Sequence, residues 1–368
     1  MLRFALLTAA LALLLGCNRR APDSSPTPSP DNPAPSAGGG ATATDSLVSL
    51  PKLQPKAKFK LPDERWFDHS VQVSADGKRV GIAHKTPDSG VGIQLWDLTG
   101  EPKSLGLFEG SAFALSPSGK LLVTNRRGEI YDIASKKPIA KMPESFSHVC
   151  FRDEGTVAAT TRSYDFPRHT KGKILIWDVQ KNADGGTFEI PDNRFSVALP
   201  AKNGREFWLF MSNNKFEVEC YDLHTKQLAR TVKPEAPDPK RPNTSSGIWS
   251  TITTDGSVFG SDVHKMHFYD GETGKVVGTL PPDLWATGSG FLPGGSRYLA
   301  KVNNSEKFGL GPMAFVLFDC KTQKPVAVLT GHASTDKEVL AAGSADGKVI
   351  VSVSKQGDVL VYDASSVK

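Results

Sequence analysis

The sequence is poor in the features that mark several large classes of protein. It has four cysteines in 368 residues, too few for a disulfide scaffold or a zinc module built on cysteine clusters. Its 44 lysines and arginines against 39 aspartates and glutamates leave a net charge of +5. Because this charge is spread along the chain, we expect no nucleic acid among its partners.

Sequence motifs of common catalytic sites are also missing. The chain contains no G-x-S-x-G nucleophile turn, no phosphate-binding G-x-x-x-x-G-K-[ST] loop and no H-E-x-x-H zinc motif. We therefore expect no enzymatic activity, no bound metal and no cofactor. Acidic side chains that are distant in sequence can still meet in a folded channel, so an enzyme remains the alternative.

The amino terminus has the composition of an export signal. One positive charge, Arg3, precedes an apolar run over 4–15 that is too short to cross a bilayer as a helix. Leu14-Leu15-Gly16-Cys17 resembles the lipobox of bacterial lipoproteins, whose cysteine carries diacylglycerol. The resemblance implies a lipoprotein signal peptide over 1–16 and lipidation at Cys17. An ordinary signal peptide and a short uncleaved anchor are the alternatives.

The next segment has the composition of a tether. Residues 18–45 are mostly Pro, Ser, Gly, Ala and Thr, without an aromatic or large aliphatic side chain, so they cannot form a core. With Cys17 they predict a lipidated, disordered linker over 17–54 and a folded domain over 55–368. The expected location is the cell envelope, with the protein lipid-anchored to a bacterial membrane and facing the periplasm or the exterior.

A repeat of about 44 residues fills the rest of the chain. A triplet of an apolar residue, an aromatic residue and an aspartate occurs seven times, and a glycine-containing turn before an apolar strand precedes each copy. The aromatic–aspartate pairs are Trp96-Asp97, Tyr131-Asp132, Trp177-Asp178, Tyr221-Asp222, Tyr269-Asp270, Phe318-Asp319 and Tyr362-Asp363.

This repeat predicts an all-β fold, a seven-bladed β-propeller. The glycines supply the positive φ of tight hairpins, and the aspartates can accept hydrogen bonds from turn N–H groups. One four-stranded sheet cannot bury both of its faces, so the units must stack radially. The strand-like segment 56–61 precedes the first repeat, and we expect it to close the ring as the outer strand of the last blade. A pair of β-sandwiches would explain the short strands but not the period.

At these residues the chain resembles the WD40 family. The best match is 318–363, with Gly331-His332 and Tyr362-Asp363 at the family's positions. The resemblance implies a rigid platform for other proteins, with His332 as a buried structural hydrogen-bonding residue. Quinoprotein-like and lactonase-like propellers share the architecture, and they imply the alternative of an enzyme or quinone binder with its site at the central channel.

One insertion stands out as a candidate binding site for a protein partner. The longest insertions fall in connections that share one face of a propeller, and 162–173 carries Arg162, Tyr164, Phe166, Arg168 and His169. Exposed aromatic and arginine side chains are the usual anchors of protein interfaces. The alternative is a loop whose aromatic residues cover its own base. We expect a monomeric scaffold; a structural role in envelope packing is a third possibility.

Two further groups of residues have simpler explanations. His148 and Cys150 alternate on a predicted inner strand, which puts both on one face, and we expect a core or channel pair rather than a metal site. Cys150, Cys220 and Cys320 fall in different repeats, too far apart to pair, so we expect buried free thiols.

Overall fold

The structure is a computed structural model, and it describes one body that begins at Leu47. Cys17 and all other residues up to 46 lie outside the described residues. Between 47 and 367 the description leaves out 63–69, 86–89, 144, 163–171, 191–194, 202–203, 212–216, 236–248, 254, 263–266, 281–283, 292–296, 303–304, 312, 320–321, 323 and 334–338.

The described residues form 29 strands. Before the first blade come β1 (Lys52–Leu53) and β2 (Pro55–Lys60). Blade 1 contains β3 (Val71–Val73), β4 (Arg79–Lys85), β5 (Val91–Asp97) and β6 (Lys103–Glu109). Blade 2 contains β7 (Phe113–Leu115), β8 (Leu121–Thr124), β9 (Glu129–Asp132) and β10 (Lys137–Lys141). Blade 3 contains β11 (His148–Phe151), β12 (Thr156–Arg162), β13 (Gly172–Asp178) and β14 (Ala183–Ile190).

The remaining blades follow the same plan. Blade 4 contains β15 (Phe195–Ala201), β16 (Glu206–Met211), β17 (Val218–Asp222) and β18 (Gln227–Val232). Blade 5 contains β19 (Trp249–Ile252), β20 (Val258–Asp262), β21 (His267–Asp270) and β22 (Val276–Thr279). Blade 6 contains β23 (Leu284–Phe291), β24 (Arg297–Val302), β25 (Phe315–Asp319) and β26 (Lys324–Leu329), and blade 7 contains β27 (Val339–Gly343), β28 (Val349–Ser354) and β29 (Asp358–Asp363).

The seven sheets form a closed ring. In blades 1 to 6 the four strands that follow one another along the chain pair antiparallel, and we call them a, b, c and d from the inside outwards; in blade 7, β27, β28 and β29 are strands a, b and c. The a strands of neighbouring blades contact one another all round, and β27 of blade 7 contacts β3 of blade 1. Apolar side chains fill the spaces between blades in seven clusters. The predicted all-β, seven-bladed β-propeller is confirmed.

The amino-terminal strand closes this ring, as the sequence predicts. β2 pairs antiparallel with β29, with Pro55 opposite Tyr362 and Lys60 opposite Asp358. It is therefore the d strand of blade 7. The ring of Phe59 lies 4.2 Å from that of Trp96 in blade 1, measured between centroids. One strand thus joins the last blade to the first.

The turns between strands a and b share one hydrogen-bonding arrangement in blades 1, 5 and 7. In blade 1 the hydroxyl of Ser74 donates to Asp76 (2.7 Å) and accepts from the N–H of Arg79 (3.0 Å). The same pair of bonds joins Thr253 to Asp255 and Val258 in blade 5, and Ser344 to Asp346 and Val349 in blade 7. A glycine follows each aspartate, because the turn requires a positive φ at this position (+71° at Gly77), which glycine adopts without strain.

The aromatic–aspartate pairs end strand c and fix the next turn. In all seven blades a β-bulge interrupts the c–d pairing beside the aromatic residue, which adds local twist. Each aspartate accepts a hydrogen bond from the N–H of a residue two or three positions further on. These aspartates are Asp97, Asp132, Asp178, Asp222, Asp270, Asp319 and Asp363.

Blade 7 contains the buried hydrogen-bonding histidine that the WD40 resemblance implies. His332 is buried, and its Nε2 lies 2.7 Å from the Oγ of Ser352. Tyr362 stands at the position of the family's tryptophan and donates its hydroxyl to the Thr330 carbonyl (3.0 Å). Histidine and serine here make a buried hydrogen bond that links the entry of the blade to strand b.

Blades 1 and 3 have a tryptophan at the position of Tyr362 and no hydroxyl at the position of Ser352. By strand register, the position of Ser352 corresponds to Ile82 in blade 1 and Ala159 in blade 3. The buried indole N–H groups of Trp96 and Trp177 accordingly have no acceptor among the described residues. In these two blades packing alone holds the aromatic ring.

The folded body extends further towards the amino terminus than the domain boundary at residue 55 that we set from the sequence. β1 adds to blade 6 as a fifth strand, parallel to β26. Leu47 is only 4% exposed and packs with Leu284 and Phe308, and Leu53 is buried as well. We call residues 47–54 the strap. Its two buried leucines explain why it packs on the body rather than belonging to the linker.

Asp270 allows a test of the aspartate-bonded turns that follow strand c. Its carboxylate accepts from the N–H and the hydroxyl of Thr273, both at 2.7 Å, and these bonds hold the pKa of Asp270 below its usual value. Asp270→Ala should lower the free energy of unfolding by about 1 kcal/mol at pH 7, a modest loss because solvent screens the turn.

The stability lost through Asp270→Ala should become smaller as the pH falls. A lowered folded-state pKa stabilises the protein above the unfolded value of about 4 and loses this effect as the pH falls through the folded value. The gap between wild type and Asp270→Ala in urea unfolding should therefore narrow below about pH 4. Glu101→Ala, which removes an exposed carboxylate from the equivalent region of blade 1, is the control. A gap that stays constant with pH would contradict the account.

Candidate interaction surface

Strands b and c of blade 3, which we call the arm, stay paired up to the candidate partner loop, and strand d pairs with strand c over the same length. β12 and β13 remain in register up to the pair of Arg162 with Gly172. Of the candidate residues, Tyr164, Phe166, Arg168 and His169 lie outside the described residues, as does the side chain of Arg162. The structure therefore gives the place where this loop leaves the body, on the face that carries the b–c and d–a connections, and not the arrangement of its side chains.

A small polar network fixes the base of this arm. The N–H of Ser147 donates to the carbonyl of Thr160 (2.9 Å), and their two hydroxyl oxygens are 3.2 Å apart. The Nδ1 of His148 lies 3.2 Å from Ser147 Oγ and 3.4 Å from Thr160 Oγ1. Because Thr160 is fully buried, these bonds hold strand a against strand b directly below the loop.

The inner-strand pair of His148 and Cys150 has the character of a core pair. Cys150 is buried and packs with Ala158 and Ile174. Burial raises the pKa of the Cys150 thiol to about 12, so the thiol stays protonated at neutral pH and is a poor nucleophile or metal ligand. Cys150 and Cys220 are both buried and form no disulfide among the described residues; Cys320 lies outside those residues.

The neighbouring turn of blade 2 adds positive charge to the same face. Asn125 holds this turn in place, because its Oδ1 accepts from the N–H groups of Ser111 (3.0 Å) and Ala112 (3.2 Å). Arg126 pairs with Glu109 at 3.2 Å, and both side chains are more than half exposed. Such a pair contributes little to stability. Our sequence reasoning did not single out Arg126, although consecutive arginines before the glycine of a tight turn are a visible signal.

A second insertion on this face packs against its own blade. Ser305–Phe308 form a short 3-10 helix in the b–c connection of blade 6. Phe308 and Leu310 are buried in the core cluster that also receives Leu47, and the hydroxyl of Ser305 donates to the carbonyl of Gly311 (2.6 Å). The apolar side chains of this insertion thus pack in the core of its own blade. They are not available to bind a partner.

One ion pair is buried on the outer side of the ring. The carboxylate of Glu206 accepts from Nη1 of Arg230 (2.9 Å) and from the indole N–H of Trp208 (2.8 Å). The guanidinium of Arg230 also lies over the Trp208 ring, 5.1 Å from its centroid, and 3.5 Å from Glu272 of blade 5. Because Arg230 pairs with carboxylates of both blades, this cluster links blade 4 to blade 5.

In the described part of the chain, no group of three or more His, Cys, Asp or Glu side chains is placed to hold a metal ion. Within the same residues no helix is long and apolar enough to cross a membrane.

Comparison with known proteins supports the fold. No protein-family model matches the sequence, and no curated protein matches it. Among solved structures, a chain in the crystal structure of the mitotic checkpoint complex matches with a TM-score of 0.57 and 13% identity. The match covers 91% of this chain and 99% of that chain. At this identity the likeness concerns architecture alone: the chain is a seven-bladed β-propeller.

Proposed function

We propose that this protein is a lipid-anchored platform that binds another protein at the bacterial cell envelope. The observation that carries the proposal is the blade 3 arm, on which β12 and β13 stay paired up to Arg162 and Gly172. The anchor is Cys17, the linker gives reach, and the propeller supplies a rigid support for the loop.

The residue types of the loop support a protein as the partner. Residues 163–171 include Tyr164, Phe166 and Arg168, and such side chains supply most of the binding energy in protein interfaces. A loop held on a rigid scaffold loses little entropy at its base on binding. One solved structure with this fold is that of a complex, which is a precedent for a propeller within an assembly.

The anchor proposal rests on the amino-terminal sequence. Leu14-Leu15-Gly16-Cys17 and the Pro- and Ser-rich segment after it follow the order of a lipoprotein signal and tether. The strap gives such a tether a firm attachment, because Leu47 and Leu53 are buried and the carbonyl of Pro51 accepts from Val328 N–H (2.9 Å).

Partner capture tests the platform. The chain with Tyr164→Ala, Phe166→Ala and Arg168→Ala should lose a protein that crosslinks to the native chain in solubilised membranes. The matched control changes Leu107→Ala, Ile139→Ala and Lys137→Ala, which remove two apolar side chains and one cation from exposed outer strands. Equal capture by both variants and the native chain, or no specific capture at all, would contradict the proposal.

Fractionation and mass measurement test the anchor. The native chain should sediment with membranes and carry a mass increase of acyl chains on Cys17, while Cys17→Ser should lose the modification and lie largely in the soluble fraction. Cys150→Ser is the control, because Cys150 is a buried thiol that no lipid-transfer enzyme reaches in the folded protein. An unmodified Cys17 in the native chain would refute the anchor while leaving the partner test unaffected.

A further inference from the structure

The outer rim beside the strap carries four lysines in a short stretch of chain. Lys52 lies on β1, and Lys56, Lys58 and Lys60 alternate along β2; all four are exposed. We call these residues the lysine edge. β1 and β2 are the outermost strands of blades 6 and 7, so the four lysines stand on the rim of the propeller.

The alternation of β2 turns its lysines away from the body. Phe59 lies on the opposite side of the strand, where its ring packs on Trp96 of blade 1, and Ala57 packs against the same core cluster. Since successive side chains of a strand point to opposite faces, Lys58 and Lys60 flank Phe59 on the solvent side. The packing of Phe59 thus sets the direction of the lysines.

Two acidic side chains of β29 interact with this edge, Asp358 with Lys58 and Asp363 with Lys56. Lys58 Nζ lies 3.8 Å from Asp358, and the Lys58 side chain is 57% exposed. An ion pair of this length and exposure holds its lysine only weakly. Val48, in the strap itself, adds an apolar side chain that is 49% exposed. Cations beside an exposed apolar residue suit the interface of an anionic membrane.

We propose that the lysine edge docks the propeller rim against anionic lipid headgroups of the membrane that carries the anchor. This inference rests on the proposed lipidation of Cys17. The described body begins at Leu47, five residues before Lys52. The lysine edge therefore lies close along the chain to the linker that would carry the lipid anchor. The linker also keeps the edge at a high local concentration near the membrane, where weak contacts suffice.

The docked orientation suits a platform. Contact through the rim of blades 6 and 7 lays the ring axis along the membrane plane. Both faces of the propeller then point sideways, and the arm of blade 3 stays free to bind a partner. The lipid contact would thereby orient the binding loop without taking part in partner binding.

A different explanation predicts other results. Lysines on an outer strand prevent edge-to-edge pairing with another copy of the chain. If edge protection is their only role, removing their charge should cause self-association and leave lipid binding unchanged. One set of variants therefore distinguishes lipid binding from edge protection.

The test is vesicle binding by the full chain with Cys17→Ser, so that no acyl chain contributes. The charge variant carries Lys52→Gln, Lys56→Gln, Lys58→Gln and Lys60→Gln. The control carries the same change at four exposed lysines of blades 1 and 2, which are Lys103, Lys136, Lys137 and Lys141. Vesicles of phosphatidylcholine alone are compared with vesicles containing about one-third phosphatidylglycerol, at about 0.1 M salt.

Each lysine near an anionic surface is worth about fivefold in affinity. We expect the charge variant to bind the anionic vesicles at least tenfold more weakly than the parent chain and the control, with no difference on neutral vesicles. Equal loss in the control, or no loss in the charge variant, would overturn the proposal; self-association without a lipid effect would assign the lysines to edge protection. Because the assay omits the acyl chain, its result is independent of whether Cys17 is lipidated.

Discussion

The pairing of β2 with β29 is the interaction on which the rest of the structure depends. Without it blade 7 would end in an open edge, and blade 1 would lose the contact between Phe59 and Trp96. Closure lets each blade bury both faces against a neighbour. The N–H of Ala345 in blade 7 also donates to the carbonyl of Ala75 in blade 1 (3.1 Å), so inner and outer contacts close the ring together.

Ring closure also determines where the two proposed binding surfaces, the lysine edge and the arm of blade 3, lie on the propeller. The strand that closes the ring follows the strap directly, so the lysine edge lies where the chain enters the body, on blades 6 and 7. The arm of blade 3 leaves the ring elsewhere, on the face of the b–c and d–a connections. A single stiff body therefore separates the proposed lipid contact from the proposed partner site.

The sequence predicts the fold because its landmarks are local. The aspartates after the aromatic residues and the Ser-x-Asp-Gly turns form bonds within a few residues, so they can be read without the structure. The strap was not predicted, because a two-residue parallel strand such as Lys52–Leu53 leaves no periodicity. Nor does composition distinguish the loop that buries Phe308 from one that projects its aromatic residues, since both contain the same residue types.

Hydrogen exchange on the full chain tests ring closure most directly. If β2 closes the ring, the β2 amides bonded to β29 exchange only with global unfolding, and their protection equals that of the β29 amides. β2 would then be as stable as the inner strands despite lying at the rim. Fast exchange of all β2 amides while β29 stays protected would show that β2 frays independently, and would contradict closure of the ring by the amino-terminal strand.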